Sequence, residues 1–162
     1  MNIAPCPEMT LYLPDEAATG RLGIWLAPRL KAGDCLLLEG PIGAGKSHLA
    51  RAIIRARLGR MEDVPSPSFT LVQSYEADDV EIWHADLYRL HHPDEALELG
   101  LDEAFNRAIT LIEWPERLGN AAPPDAIQMR LSAMGEGRQL RIALPGHSAL
   151  AAALAADWGA DD

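Results

Sequence analysis

The chain has 162 residues and a mass of 17.6 kDa, the length of one domain, taken here as residues 1–162. Apolar residues make up 48% and charged residues 23%, which excludes a wholly disordered or collagen-like chain. Fourteen basic residues against 24 acidic ones leave a net charge of −10, unlike a protein that grips nucleic-acid backbone by itself.

The first ten residues, MNIAPCPEMT, carry neither a basic start nor an apolar stretch, so no secretory signal is expected, and residues 1–9 read as a loose start. Thr10–Leu13 is predicted as a short strand. Asp15 is placed to cap a helix carrying Ala17, Ala18, Leu22, Leu26 and Leu30, weakened by Gly20, Gly23 and Pro28. Asp34–Glu39 has the unbroken apolar core of a strand buried on both faces, as in a parallel sheet. A glycine-rich turn follows, and then a helix through Leu49, Ala52, Ile53, Ala56 and Leu58 to Gly59. After a loop at Pro65-Ser66-Pro67-Ser68, the runs Phe69–Tyr75 and Val80–Ala85 read as a hairpin turning at Asp78-Asp79. A helix is predicted over Pro93–Leu99 and a buried strand over Thr110–Glu113. Late strands are expected at Ala126–Leu131 and Gln139–Leu144, joined by a turn with Gly135 and Gly137. Ser148 is read as the cap of a last helix reaching Trp158, with a frayed Asp161-Asp162 end. The longest apolar run, Ala149–Ala156, is far short of the ~18 residues of a membrane span. The order fits one α/β domain with a mostly parallel central sheet, flanking helices and a β-hairpin insertion.

Residues 40–47, Gly-Pro-Ile-Gly-Ala-Gly-Lys-Ser, satisfy G-x-x-x-x-G-K-[ST] in full, between a buried strand and an amphipathic helix. Glycines allow the backbone to curl around a phosphate, and the helix N-terminus adds partial positive charge. Lys46 is then expected to bridge the β- and γ-phosphates and Ser47 to ligate Mg²⁺, in a P-loop NTPase fold. Such a site needs a second acid on the metal side. Glu113, closing its strand, stands where a Walker B acid belongs, and Asp86 in His84-Ala85-Asp86-Leu87-Tyr88-Arg89 is another candidate. No Asn-Lys-x-Asp begins at Asn2, Asn106 or Asn120, so ATP is favoured over GTP. Cys6 and Cys35 are too few for a disulfide framework and fit a reducing compartment.

Several segments in order resemble the TsaE (YjeE) family, whose members are small bacterial ATPases of the machinery that makes threonylcarbamoyladenosine in tRNA. They are Leu13-Pro14-Asp15-Glu16, the loop with Gly43-Ala44-Gly45-Lys46, Ser66-Pro67-Ser68-Phe69-Thr70-Leu71-Val72, His84–Leu90, Glu98-Leu99-Gly100-Leu101 and Ile112-Glu113-Trp114-Pro115-Glu116. The loop alone is shared by many unrelated NTPases, whereas the other segments in this order are far more specific. The resemblance implies slow Mg²⁺-dependent ATP hydrolysis, a cytoplasmic location, and work with the TsaB and TsaD proteins, through which tRNA is reached. It implies nucleotide contacts from Glu16, Gly40, Ile42, Gly43, Ala44, Gly45, Lys46, Ser47, His48, Thr70 and Arg138. Ser47 and Glu113 then serve Mg²⁺, and Asp86, Glu113 and Lys46 serve catalysis. The Ser66–Thr70 loop corresponds to a switch segment over the γ-phosphate. Four positions depart from the family pattern. Ser47, Ser68 and His48 stand where threonine is common, and Pro41 where aspartate is usual.

Two other readings of the residues stand beside this one. A small-molecule kinase would use Asp86 beside an acceptor, with Arg138 and Arg141 as lid arginines. A non-catalytic ATP-binding module would have little use for Lys46, Ser47 and Glu113. Trp114 reads equally as core, Arg89 as a surface ion-pair former, and His84, His91 and His92 lack metal-ligand spacing.

Overall fold

The computed structural model describes residues 7–59, 64, 65, 67, 70–77 and 79–159. Its strands are β1 (Glu8–Leu13), β2 (Cys35–Glu39), β3 (Val72–Glu76), β4 (Glu81–Asp86), β5 (Ile109–Glu113), β6 (Ile127–Met134) and β7 (Gly137–Ala143). Its α-helices are α1 (Glu16–Leu26), α2 (Lys46–Leu58), α3 (Asp94–Glu98), α4 (Leu101–Arg107) and α5 (Ser148–Trp158), with 3-10 turns at Ala27–Arg29 and Pro115–Ala121.

All seven strands form one sheet in the order β1-β7-β6-β2-β5-β4-β3. The central four, β6, β2, β5 and β4, run parallel. Both margins are antiparallel: β3 on β4 at one side, β7 and β1 beyond β6 at the other. The sheet is therefore parallel only at its centre, where β2 and β5 are buried on both faces. Nor is the hairpin an insertion, because its second strand β4 is a parallel neighbour of β5.

Strand alternation sorts the core into two layers. Leu36 and Leu38 of β2, Ile82 of β4, and Ile109 and Leu111 of β5 face α1, α2 and α5, where Leu22, Leu26, Leu49, Ile53 and Leu154 are buried. Cys35, Leu37, Ala85 and Ile112 face the other way, onto Ala96 of α3, Leu101 of α4 and Leu118. His84, Asp86 and Glu113 share the parity of the first layer, beneath α2.

Asp15 caps α1 as expected, its Oδ1 accepting from the Ala18 N–H at 2.8 Å. The helix nevertheless runs through both glycines to Leu26. Gly23 lets α1 approach α2 closely, since a Cβ there would stand 2.6 Å from the Ala52 Cβ. Pro28 falls in the 3-10 turn that follows, where its missing N–H costs little. The expected helix over Pro93–Leu99 is the short α3, and a second helix, α4, begins after Gly100. Ser148 is the first residue of α5 rather than its cap; His147 precedes the helix, without a side-chain cap bond. The expected loop residues Ser66, Ser68 and Phe69, together with Asp78 of the hairpin turn and the frayed end, lie outside the described residues. Among the described residues, no helix is long and apolar enough to cross a membrane.

Candidate functional site

The glycine-rich loop leaves the carboxyl end of β2 and enters α2 directly, with Lys46 and Ser47 in the first turn. Gly40 has φ 145°, and a Cβ there would stand 2.5 Å from the Leu131 carbonyl oxygen. Only glycine fits that passage between β6 and the loop. From the β7 side, Arg138 Nε donates to the Ala44 carbonyl at 3.1 Å and its Nη2 to the Gly43 carbonyl at 3.0 Å. The loop is thus braced by a cation on its outer side.

Two acids end the neighbouring parallel strands. Asp86 and Glu113 are register partners on β4 and β5, and Leu38 of β2 is the partner of Glu113 on its other side. The Ser47 hydroxyl lies 2.9 Å from both Glu113 carboxylate oxygens, a bifurcated donation from its single hydrogen. His84 Nε2 meets Glu113 Oε2 at 2.7 Å, with His84 fully buried. Asp86 Oδ1 accepts from the Tyr88 N–H at 3.1 Å, which fixes the turn leaving β4.

Lys46 is itself buried. Its ammonium donates to the Gly40 and Pro41 carbonyls and stands 4.1 Å from the centre of the Trp114 ring. Burial holds it below the usual lysine value, and the facing carboxylates of Glu113 and Asp86 push the other way. The backbone at Trp114 is left-handed (φ 60°), and its ring also packs against Tyr88 at 4.9 Å between centroids.

An open cleft of about 450 Å³ joins these groups. Of the residues named from sequence, Glu16, Ile42, Gly43, Gly45, Lys46, Ser47, His48, Asp86 and Glu113 line it. His48 Nε2 lies 3.0 Å from the Glu16 carbonyl, tying the start of α1 to the first turn of α2. Gly40 and Ala44 take part through their carbonyls, which bind Lys46 and Arg138. Arg138 braces the loop and is not among the cleft residues. Thr70 is exposed, accepts from Gln73 Nε2 at 3.1 Å, and is not brought to the cleft.

Among the described residues, Arg51, Tyr88, Arg89 and Trp114 also line the cleft. Arg51 escaped notice in the sequence, although it stands one helical turn after Ser47 and so shares its face. His84, which has no metal-ligand spacing in the sequence, is buried against Glu113, and its two-residue offset from Asp86 puts it on the same strand face. Among the described residues, no group of three or more His, Cys, Asp or Glu side chains can hold a metal on protein ligands alone.

Fold and site together define a mixed α/β protein in which a glycine-rich loop and two strand-end acids from neighbouring parallel strands share one cleft. Residues 13–140 match the model of the family described as Threonylcarbamoyl adenosine biosynthesis protein TsaE, and the chain belongs to the TsaE family. A Rickettsia felis protein named tRNA threonylcarbamoyladenosine biosynthesis protein TsaE is 40% identical over 130 residues, 80% of this chain and 76% of that protein. Proteins of the same name from Synechocystis and Haemophilus influenzae are 38% and 33% identical, covering 68% and 83% of this chain and 73% and 89% of their own. Among solved structures, that of Bacillus subtilis YdiB superposes with a TM-score of 0.76, covering 93% of this chain and 95% of that one at 23% identity, which shows a shared fold.

Proposed function

We propose that this chain is a single-domain Mg²⁺-dependent P-loop ATPase. In this reading it is a cytoplasmic accessory subunit of the complex that forms N6-threonylcarbamoyladenosine in tRNA, and hydrolysis resets or regulates TsaB and TsaD. The observation that carries the reading is the meeting of the loop's Ser47 with the Glu113 carboxylate, with Asp86 as the register neighbour of Glu113. The names of its relatives supply the process.

In this reading the loop N–H groups and Lys46 receive the phosphates. Lys46 is available without unfolding, because its present partners are loop carbonyls and the Trp114 face. Ser47 and Glu113 supply hard oxygen donors of the kind Mg²⁺ takes, and a nucleotide-bound Mg²⁺ uses one or two protein ligands, with phosphate and water completing its shell. When bound, the ion withdraws charge from the phosphate oxygens. Asp86 serves to orient or accept a proton from the attacking water. Glu16, His48 and Arg51 form the wall of the cleft at the α1–α2 side and are assigned to the rest of the nucleotide. With a net charge of −10, tRNA is reached through the partners.

Phosphate release measured with ATP alone, with small candidate acceptors, and with TsaB and TsaD added tests the reading. Turnover that rises with the partners and leaves no phosphorylated acceptor supports it. A phosphorylated small acceptor selects a kinase, and ATP binding without turnover in any mixture selects a passive module.

A further inference from the structure

His84 lies on the Asp86 face of β4, between Ile82 and Asp86, one pleat deeper than Asp86 and in register with Leu111 of β5. Its side chain is fully buried, and the one polar contact of its ring among the described residues is Nε2 to Glu113 Oε2. A carboxylate only accepts, so Nε2–H is the donor. Nδ1 is buried with no partner among the described residues. An apolar side chain at this depth would avoid that unmet nitrogen, so the whole polar use of the ring is its hold on Glu113.

That hold makes the two carboxylate oxygens unequal. Ser47 stands equally close to both, so it leaves them equivalent, whereas His84 Nε2 adds a shorter contact at Oε2 alone. The ring thereby fixes the carboxylate about its last torsion, which is otherwise broad for glutamate.

We propose that His84 is a positioning residue that orients Glu113 toward a nucleotide-bound divalent cation. The inference rests on the ATPase reading. Outer partners of metal-ligating groups hold them in place, and losing one costs roughly 10–100-fold in metal affinity or activity. His84 does not touch nucleotide, so its loss should weaken what the cation adds to binding and spare binding without cation.

The test is the affinity of the full chain for ADP, measured by calorimetry in EDTA and in Mg²⁺, for wild type, His84→Leu, His84→Gln and His84→Asn. The Gln amide nitrogen reaches about as far as Nε2, and the Asn amide stops one bond short. Wild type should bind ADP in EDTA and more tightly with Mg²⁺. In His84→Leu, affinity in EDTA should hold within about twofold, while the Mg²⁺ enhancement falls by about tenfold or more. His84→Gln should recover most of it and His84→Asn little. That matched pair decides the matter if His84→Leu does not fold. Long-range proton–nitrogen spectra of the wild type should place the imidazole hydrogen on Nε2.

Equal enhancement in wild type and in folded His84→Leu or His84→Asn overturns the inference and leaves the ATPase reading standing. So does an equal loss with and without Mg²⁺, which marks a purely structural residue, or a hydrogen found on Nδ1. A wild-type chain that binds no nucleotide under either condition overturns the ATPase reading, and this inference with it.

Discussion

Glu113→Gln separates binding from turnover at the centre of the cleft. The substitution keeps shape and removes charge. In the native chain the carboxylate receives the Ser47 hydroxyl at 2.9 Å and His84 Nε2 at 2.7 Å. Hydrogen bonds to charged groups are worth about 1.5–3 kcal/mol and neutral ones about 0.5–1.5. Weakening two such contacts therefore costs about 2–3 kcal/mol, within the ~5–15 kcal/mol stability of a typical domain. The amide can still accept one donor and donate to the Ser47 oxygen, so the fold should persist with a lowered melting temperature. Turnover should suffer more. Misplacing fixed charge at a phosphoryl site is comparable to losing one electrostatic stabiliser, about 10²–10³ in kcat. Nucleotide affinity in EDTA should stay level or rise, because a negative charge beside the phosphates is gone. Phosphate release with TsaB and TsaD present, paired with calorimetry in EDTA, reads both. Turnover at the wild-type rate refutes the assignment of Glu113 to the metal side.

Lys46→Ala should weaken ATP binding about ten- to over a hundredfold, the worth of one charge-assisted contact of about 1.5–3 kcal/mol, and unchanged calorimetric affinity would remove Lys46 from the phosphate site. Gly23→Ala improves intrinsic helix propensity by about 1 kcal/mol. It also forces the new Cβ against the Ala52 Cβ at 2.6 Å, so overpacking of about 1–3 kcal/mol should win, and a raised urea midpoint would contradict the close α1–α2 approach. Burial pushes the Cys35 thiol from 9.0 to about 12, so it stays protonated in the folded chain while the unfolded chain ionises. Its contribution is full below pH 9 and lost as pH rises toward 12. By pH 10 the loss is about 1.4 kcal/mol, and the stability gap between wild type and Cys35→Ala should narrow by that amount between pH 8 and 10. The isolated chain should bind tRNA weakly at physiological salt, and tight binding would show that the acidic surface conceals a phosphate-reading face.

The loop, both acids and the two doubly buried strands were legible because each rests on a local rule. Eight consecutive residues carry the loop motif, and a run such as Cys35–Leu38 has no wet face to alternate with. The antiparallel margins were not legible, because which strand pairs with which is decided across long separations: β1 begins at Glu8 yet pairs with Ala143. Helix α4 was overlooked since Leu101 and Ala104 are only one helical turn of apolar pattern. Arg138 was named for the nucleotide, but its hydrogen bonds run to loop carbonyls, a contact that needs β7 folded back beside β6. The partnership of His84 with Glu113 depends on register between two strands, and periodicity within either one is silent about it.

Register also explains why residues at positions 47, 84, 86 and 113 make one site. Ile82, His84 and Asp86 alternate with Trp83 and Ala85 on β4, as Ile109, Leu111 and Glu113 alternate with Thr110 and Ile112 on β5. The first set of each strand faces α2. A slip of one residue between β4 and β5 would turn His84 and Asp86 to the opposite layer and set Ala85 or Leu87 beside Glu113. It would also carry Ile82 out of its apolar layer and bring Trp83 into it. The apolar parity of the strands thus enforces the register that aligns the acids. The same layer seats Leu49 and Ile53 of α2, whose first turn holds Lys46 and Ser47. Packing beneath α2 therefore sets the distance from Ser47 to Glu113. A substitution that lifts α2, such as Gly23→Ala, should accordingly weaken Mg²⁺-dependent nucleotide binding although Gly23 lies outside the cleft.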